Sequence, residues 1–385
     1  MKKGLLGFIN KNDSNTFKEI NAQPRLWHET YSIIKSNKGP LAKFLGDALI
    51  HEDLKIILTG AGTSAYIGEV LNKSFQRKVN RVTEAVATTD LIVSSKDFLN
   101  KHQPTLLVSF ARSGDSPESV AAVELAENYC ENVYHLIITC NPQGKLVQDT
   151  NLKKSYALMM PKEANDKALA MTSSFTTMLL AGVLISDLEN LDKNGAYVDC
   201  LVKYGEKILV NYSERIYDVA QLNFDRVVFL GSGILKGIAR ESQLKVQELT
   251  DGQVICKYDT FLGLRHGPKV VIKNSTLVVY IFSSDEFINK YEYDLVRSIN
   301  SQDEKLYEIG IAERIKFKDE INMDLSIEVA DTGEIPEEYF AVCAVLPSQL
   351  LGMYKSINLG LSPDSPSINN TINRVVEGVN IYKQE

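Results

Sequence analysis

The chain has 385 residues and a net charge of −7. That length exceeds one ordinary hydrophobic core and predicts two domains, while the acidic balance gives no electrostatic footprint for nucleic acid. No run approaches the ~20 apolar residues of a membrane span. The opening "MKKGLLGFIN" is too poor in apolar residues for a signal-peptide core, and Cys130, Cys140, Cys200, Cys256 and Cys343 are odd in number with no CxxC spacing. A cytoplasmic protein is expected.

In chain order, "FKEINAQPRLWHETYSIIKSN" (17–37) reads as one or two helical pieces broken at Pro24, since proline lacks an amide proton and clashes with the preceding turn. It closes an N-terminal helical segment, 1–36. A first domain, 37–190, follows with an apolar run at 56–58, strand-like stretches at 105–116, 132–139 and 155–160, and a helix starting at "MTSSFTT" (171–177). Residues 188–222 read as a long bridging helix. A second domain, 205–367, repeats the sequence of apolar strands, and 368–385 form a tail expected to close over the site.

The two halves are copies. "KIILTGAGTSAYIGEV" (55–70) matches "RVVFLGSGILKGIARE" (226–241), so that Gly60 pairs with Gly231 and Gly62 with Gly233. Thr105 pairs with Thr276 at the same offset, "NVYHLIIT" matches "KLYEIGIA" with a shift of about two residues, and "SYALMM" falls near "LSIEVA". Strands of this kind alternating with helices predict an α/β fold: two tandem doubly wound parallel sheets with flanking helices, and ligands at the carboxyl ends of the strands.

The copies differ in chemistry. After its glycines the first half has Thr63 and Ser64 where the second has Ile234 and Leu235. The first half continues with "ARSGDSPES", carrying Arg112, Ser113, Ser116 and Ser119, and then with Thr172 and Ser173. Serine and threonine at one helix start are ordinary caps; three such clusters in one copy, absent from its twin, predict a phosphate cradle of backbone amides and hydroxyls. Gly60-x-Gly62-x-x-Ala65 also fits a dinucleotide fingerprint, with Glu84 at the distance of a ribose-binding acid. A second hydroxyl-rich loop at 112–119 occupies space such a ligand would need, and a smaller phosphorylated ligand is the better reading.

The second half carries acid–base candidates instead. Glu241, Lys245 and Glu248 share one helix face, a pattern whose ordinary fate is a solvated salt-bridged surface. Glu248 lies at the helix end, shortly before "GLRHGP" (263–268), a rigid irregular loop presenting His266. A carboxylate and an imidazole suit an aldose–ketose isomerase, which moves a proton between C1 and C2 and opens the sugar ring. The five histidines are widely separated and offer no metal-ligand spacing. No metal or cofactor is expected.

The order GAGTS, S-x-x-x-SGDS, K-x-x-E and LRHGP resembles the SIS (sugar isomerase) family, and the isomerase half of glucosamine-6-phosphate synthase within it. From "EINAQPRLW" to "NRVVEGVNIY" the chain is similar to the AgaS group, named for tagatose-6-phosphate ketose/aldose isomerase and galactosamine-6-phosphate deamination. The resemblance implies that Ser64, Ser113 and Ser116 bind phosphate, with Gly62, Thr63 and Arg112 beside them. It implies that Thr172 and Ser173 contact the sugar, that Glu248 shuttles the proton, that Lys245 lies one turn before it, and that His266 opens the ring from a neighbouring subunit. A homodimer, or a higher oligomer, follows from the last point. The synthase's C-terminal lysine has no equivalent here; Asn373 and Arg374 stand in that tail. No glutamine-hydrolysing domain precedes the copies, so the expected reaction is deamination of galactosamine 6-phosphate to tagatose 6-phosphate and ammonia. A non-deaminating isomerase and a phosphosugar sensor are the alternatives.

Overall fold

The computed structural model describes residues 14–148, 152, 154–302, 304–316, 318–331, 333–369, 371–374 and 378–382. It contains two five-stranded parallel sheets. The first comprises β1 (Lys55–Thr59), β2 (Thr83–Ala85), β3 (Thr105–Ala111), β4 (Val133–Thr139) and β5 (Ser155–Met159), in spatial order β2-β1-β3-β4-β5. The second comprises β6 (Arg226–Gly231), β7 (Ile255–Asp259), β8 (Thr276–Ile281), β9 (Tyr307–Ala312) and β10 (Leu325–Glu328), in the same order read from the other edge, β10-β9-β8-β6-β7.

Strand register reproduces the sequence repeat. Lys55 pairs with Thr105 across β1 and β3, and their counterparts Arg226 and Thr276 pair across β6 and β8. The two-residue shift also appears: Leu106 faces Tyr134, whereas its counterpart Leu277 faces Tyr307. The first helix after each sheet's opening strand, Thr63–Val79 and Leu235–Leu249, ends at a left-handed non-glycine residue, Asn80 (φ 52°) and Asp251 (φ 49°). These two also keep the offset of the glycines, so Lys245 stands where the first copy has Ser74, and Glu248 where it has Arg77.

The chain divides into two compact units. A first-sheet unit takes its described residues from Arg25–Asp166, Met171–Val198 and the tail from Ile372; a second-sheet unit takes them from the N-terminal stretch through Pro24, Lys167–Ala170 and Asp199–Thr371. The first core is built on Ile57, Leu107, Ala122, Val123 and Ile137, the second on Val228, Tyr280, Phe282, Tyr293 and Val296. Strands β3, β4 and β8 are buried along their whole length, as expected for parallel strands covered on both faces.

Two helical expectations need correction. The helix Asn15–Ser36 runs through Pro24 without a break. Proline leaves the carbonyl of Ile20 without its usual amide, and Gln23 Nε2 donates to that oxygen instead (3.3 Å), so a side chain repairs the ladder. The bridge is likewise not one plain α-helix: Leu191–Lys207 passes into a π-helical turn, Ile208–Tyr212, before Ser213–Ala220. Among the described residues one helical stretch, Glu337–Asn358, has the length and apolarity of a membrane span, and 94% of its most apolar 18-residue window is buried in the folded chain, as in a core helix.

Candidate functional site

In a sheet of order β2-β1-β3-β4-β5 the chain leaves β1 in one direction and returns to its other side, so the switch point lies between the carboxyl ends of β1 and β3. Ligands of open α/β sheets bind at such a point. Gly60 follows β1 because a Cβ there would meet the Ser64 backbone at 2.6 Å, and Gly62 has φ 56°. Both glycines are therefore geometric: Gly231 and Gly233, with the same close approach and a φ of 57°, make the same turn in the second copy. Gly62 caps the helix Thr63–Val79, putting buried Thr63 and Ser64 in its first turn.

Between the two loops is a cavity of about 110 Å³, lined by Ser64, Arg112, Ser113, Ser116, Ser119 and Arg374 among others. The loop after β3 is braced from behind. Asn141 Nδ2 donates to the Ser113 carbonyl (2.8 Å), the Lys145 amide donates to Asp115 (3.0 Å), and Gly144 approaches so closely that a Cβ would lie 2.4 Å from the Ser113 oxygen. Ser116 sits at the N-cap of the helix Pro117–Tyr129 with no side-chain bond to its amides, and its hydroxyl donates to Ser119 Oγ (2.6 Å). Hydroxyls, a guanidinium and two helix N-termini at one concave place can hold a phosphate-type anion.

The tail belongs to the same unit. Arg112 Nη2 donates to the Arg374 carbonyl (2.5 Å), while the Arg374 guanidinium donates to the Asp166 carbonyl and Asn165 Oδ1 (2.8 Å each). Asn373 is exposed and outside the cavity lining. Thr172 and Ser173 are fully buried, and their amides donate to the Asp166 carboxylate (2.9 and 3.0 Å), as does the Thr172 hydroxyl (3.1 Å). Asp166, which the sequence reading passed over, thus caps the helix Ser173–Ser186; its signal is an acid a few residues ahead of a Ser/Thr cluster. Glu84 forms an ion pair with Lys55 (2.9 Å), at the start of β1 and away from the glycine loop. A larger cavity of about 360 Å³ opens at the amino ends of β1 and β3 beside Leu45, Ile56, Phe75 and Leu106, but it lies opposite the switch point and lacks converging hydroxyls.

In the second-sheet unit, Lys245 is fully buried between Glu241 (3.4 Å) and Glu248 (2.6 Å). This is not a solvated charged face: Glu241 is also 0% exposed, whereas the Glu248 side chain keeps 23% of its surface. Glu248 is therefore tethered by a buried ammonium yet accessible, an arrangement that fixes a carboxylate while leaving it able to exchange protons. The helix Phe261–Arg265 is anchored through Phe261, stacked on Tyr280 (5.8 Å), and through buried Leu264. Thr260 caps its start by accepting from the Gly263 amide (2.9 Å). His266 ends that helix, exposed, just before Gly267 at φ 110°.

Comparison with known proteins agrees with the sheet architecture. The SIS domain model matches residues 48–186. The chain is 40% identical over 374 residues to the D-galactosamine-6-phosphate deaminase AgaS of Shewanella sp. (strain ANA-3), covering 95% of this chain and 91% of that one. The solved tagatose-6-phosphate ketose/aldose isomerase of Escherichia coli superposes with a TM-score of 0.88 at 36% identity, covering 97% of this chain and 98% of its own. A solved relative from Clostridium novyi NT gives 0.93 at 41% identity, covering 99% and 100%. The chain belongs to the SIS family, in its AgaS group.

Proposed function

We propose that this enzyme isomerises hexosamine 6-phosphates with release of ammonia, taking galactosamine 6-phosphate and water to tagatose 6-phosphate and ammonia. The observation that carries the reading is Glu248, partly accessible and held at 2.6 Å by a buried lysine. The hydroxyl-lined cavity of the first-sheet unit supplies a phosphate-binding element, with Ser64, Ser113 and Ser116 as its donors and Gly62, Thr63, Arg112 and Arg374 shaping it. Thr172 and Ser173 support it through Asp166 rather than by free hydroxyls. Asn373 is the weakest member of the set.

His266 takes the proton of the anomeric hydroxyl and gives it to the ring oxygen as the C1–O5 bond breaks, opening the pyranose to the aldehyde. Glu248 then removes the proton from C2; the electron pair forms the C1–C2 double bond while O1 takes a proton from the substrate's ammonium, giving an enolamine, and the carboxylic acid returns its proton to C1. The resulting C2 iminium adds water and expels ammonia, which balances the equation without redox change. Lys245 holds Glu248 in place and offsets charge on the enolamine. The His266 loop carries exposed apolar neighbours, Leu262 (46%) and Val270 (76%), which suits a surface covered in a homodimer, with His266 acting across it.

A coupled assay for ammonia on galactosamine 6-phosphate tests the reading, with glucosamine 6-phosphate as the epimer control. Interconversion of tagatose 6-phosphate without ammonia would replace it by a simple isomerase. Binding without turnover would make the protein a sensor.

A further inference from the structure

The carboxyl ends of β6 and β8 form the twin of the cradle, and there the chain's own carboxylates take the donors. The Ser283 amide donates to Glu292 Oε2 (3.1 Å) and the Ser284 amide to Glu337 Oε1 (3.1 Å). The Ser283 hydroxyl donates to the same Glu337 oxygen, and Ser232, in the glycine loop after β6, hydrogen-bonds Glu292. By the repeat offset, Ser283 and Ser284 stand where the first copy has Arg112 and Ser113, and Ser232 where it has Ala61. The helix turn corresponding to Glu292 carries only Ala121, Ala122 and Val123 in the first copy. Asp285 occupies the place of Gly114 and accepts from the Phe287 and Ile288 amides (2.8 and 3.1 Å).

Glu292 is 0% exposed, and its Oε1 has no hydrogen-bond partner. The groups facing it are Ser232, Ser283, Asn289 and Glu337, while Lys316 Nζ donates to the Ser284 carbonyl (2.7 Å) beside the pair. A carboxylate is costly to bury beside another one. What favours the pair in this place is a ring of backbone amides and hydroxyls at a strand–helix junction, the donor type that holds phosphate elsewhere.

We infer that the second switch point is an anion site of the same design as the first, closed from within by Glu292 and Glu337. The two carboxylates then limit the chain to one phosphate-type ligand, and the substrate class is discriminated by which copy is plugged. This builds on the reading of the first cradle as a phosphate site.

Equilibrium dialysis of the full chain against labelled inorganic phosphate tests it. The variant Glu292→Ala/Glu337→Ala should bind one more phosphate per chain than its parent. The same pair placed in a Ser113→Ala/Ser116→Ala background should show the same gain of one while the parent's own site is lost. A parent that binds no phosphate would overturn the cradle reading alone, since the gain is counted separately. A double variant with native circular dichroism and a cooperative melt that gains none would overturn the plug. If the double variant does not fold, Glu337→Ser crystals soaked in tungstate decide the matter: an anion within hydrogen-bond distance of the Ser284 amide supports the inference, and its absence overturns it.

Discussion

The two copies share strand order, register, glycine turns and the left-handed helix end, but use opposite ends of the same helix. In Thr63–Val79 the polar side chains sit in the first turn, Thr63 and Ser64, and the last turns carry buried Ser74 and exposed Arg77. In Leu235–Leu249 the first turn, Leu235 to Ile238, has no hydroxyl, and the last turns carry Lys245 and Glu248. A helix N-terminus favours anions and needs only small donors beside it. An acid–base carboxylate instead needs a fixed countercharge and partial burial, which Lys245 supplies near the other end. On the proposed function, duplication followed by divergence has given one copy the means to hold a charge and the other the means to move a proton.

The sharpest way to break that comparison is at Glu248 and its twin. Glu248→Gln keeps the size and the contact with Lys245 but cannot accept a proton. It should lower kcat by about 10²–10⁴-fold with little change in KM, whereas Arg77→Gln should leave steady-state kinetics within twofold, roughly the scatter of a surface change. Near-normal turnover of Glu248→Gln would remove the proton-transfer role. Because His266 is read as acting across a dimer, mixing Glu248→Gln with His266→Ala chains should restore part of the activity that each lacks alone.

Much of this division is legible in the sequence, because it rests on local rules. The glycine turns, the alternation of strands and helices and the repeat offset predict the two sheets, and the offset reappears in the register of β1 with β3 and of β6 with β8. The hydroxyl clusters mark the cradle because caps are short-range features. What is not legible depends on burial and on distant partners. The periodicity of Glu241, Lys245 and Glu248 is identical for a wet surface and a dry one, and only packing shows Lys245 at 0% exposure. Thr172 and Ser173 look like ligand donors until Asp166 is placed on them. Pro24 looks like a break because its repair comes from a side chain, Gln23, that pattern rules do not weigh. Glu292 and Glu337 are invisible for the same reason: one lies mid-helix and the other far along the chain from the loop they close.

The plugged switch point also separates the copies in their response to pH. Burial raises the Glu292 carboxyl from its ordinary 4.5 to about 7, against hydrogen bonds from Ser232, Ser283 and Asn289 that lower it. Between those values the folded chain holds a proton that the unfolded chain has released. The associated stability is therefore fully present below about pH 4.5 and is lost as pH rises through about 7. Glu292→Gln stays neutral, so its stability relative to the parent should climb over that window, reaching on the order of 3 kcal/mol at pH 8. Denaturant midpoints at pH 5 and pH 8 measure it. Equal differences at the two pH values would show that Glu292 is ionised throughout, and that burial does not outweigh its hydrogen bonds.

The smallest expected effect compares the helix caps that follow β3 and β8. Ser116 and Asp285 both occupy the N-cap, but Asp285 bonds the Phe287 and Ile288 amides while Ser116 makes no such bond and turns its hydroxyl to Ser119. A cap that satisfies first-turn amides contributes about 1 kcal/mol, so Asp285→Ala should lower unfolding stability by about that amount and leave KM unchanged. Ser116→Ala should do the reverse. Stability should move by less than about 0.5 kcal/mol because no capping bond is lost, while KM should rise about tenfold, the worth of one hydrogen bond to a charged oxygen. If Ser116→Ala instead destabilises the fold as Asp285→Ala does and binds substrate normally, the hydroxyl is a structural cap. The first copy would then owe its phosphate affinity to backbone amides and Arg112 alone.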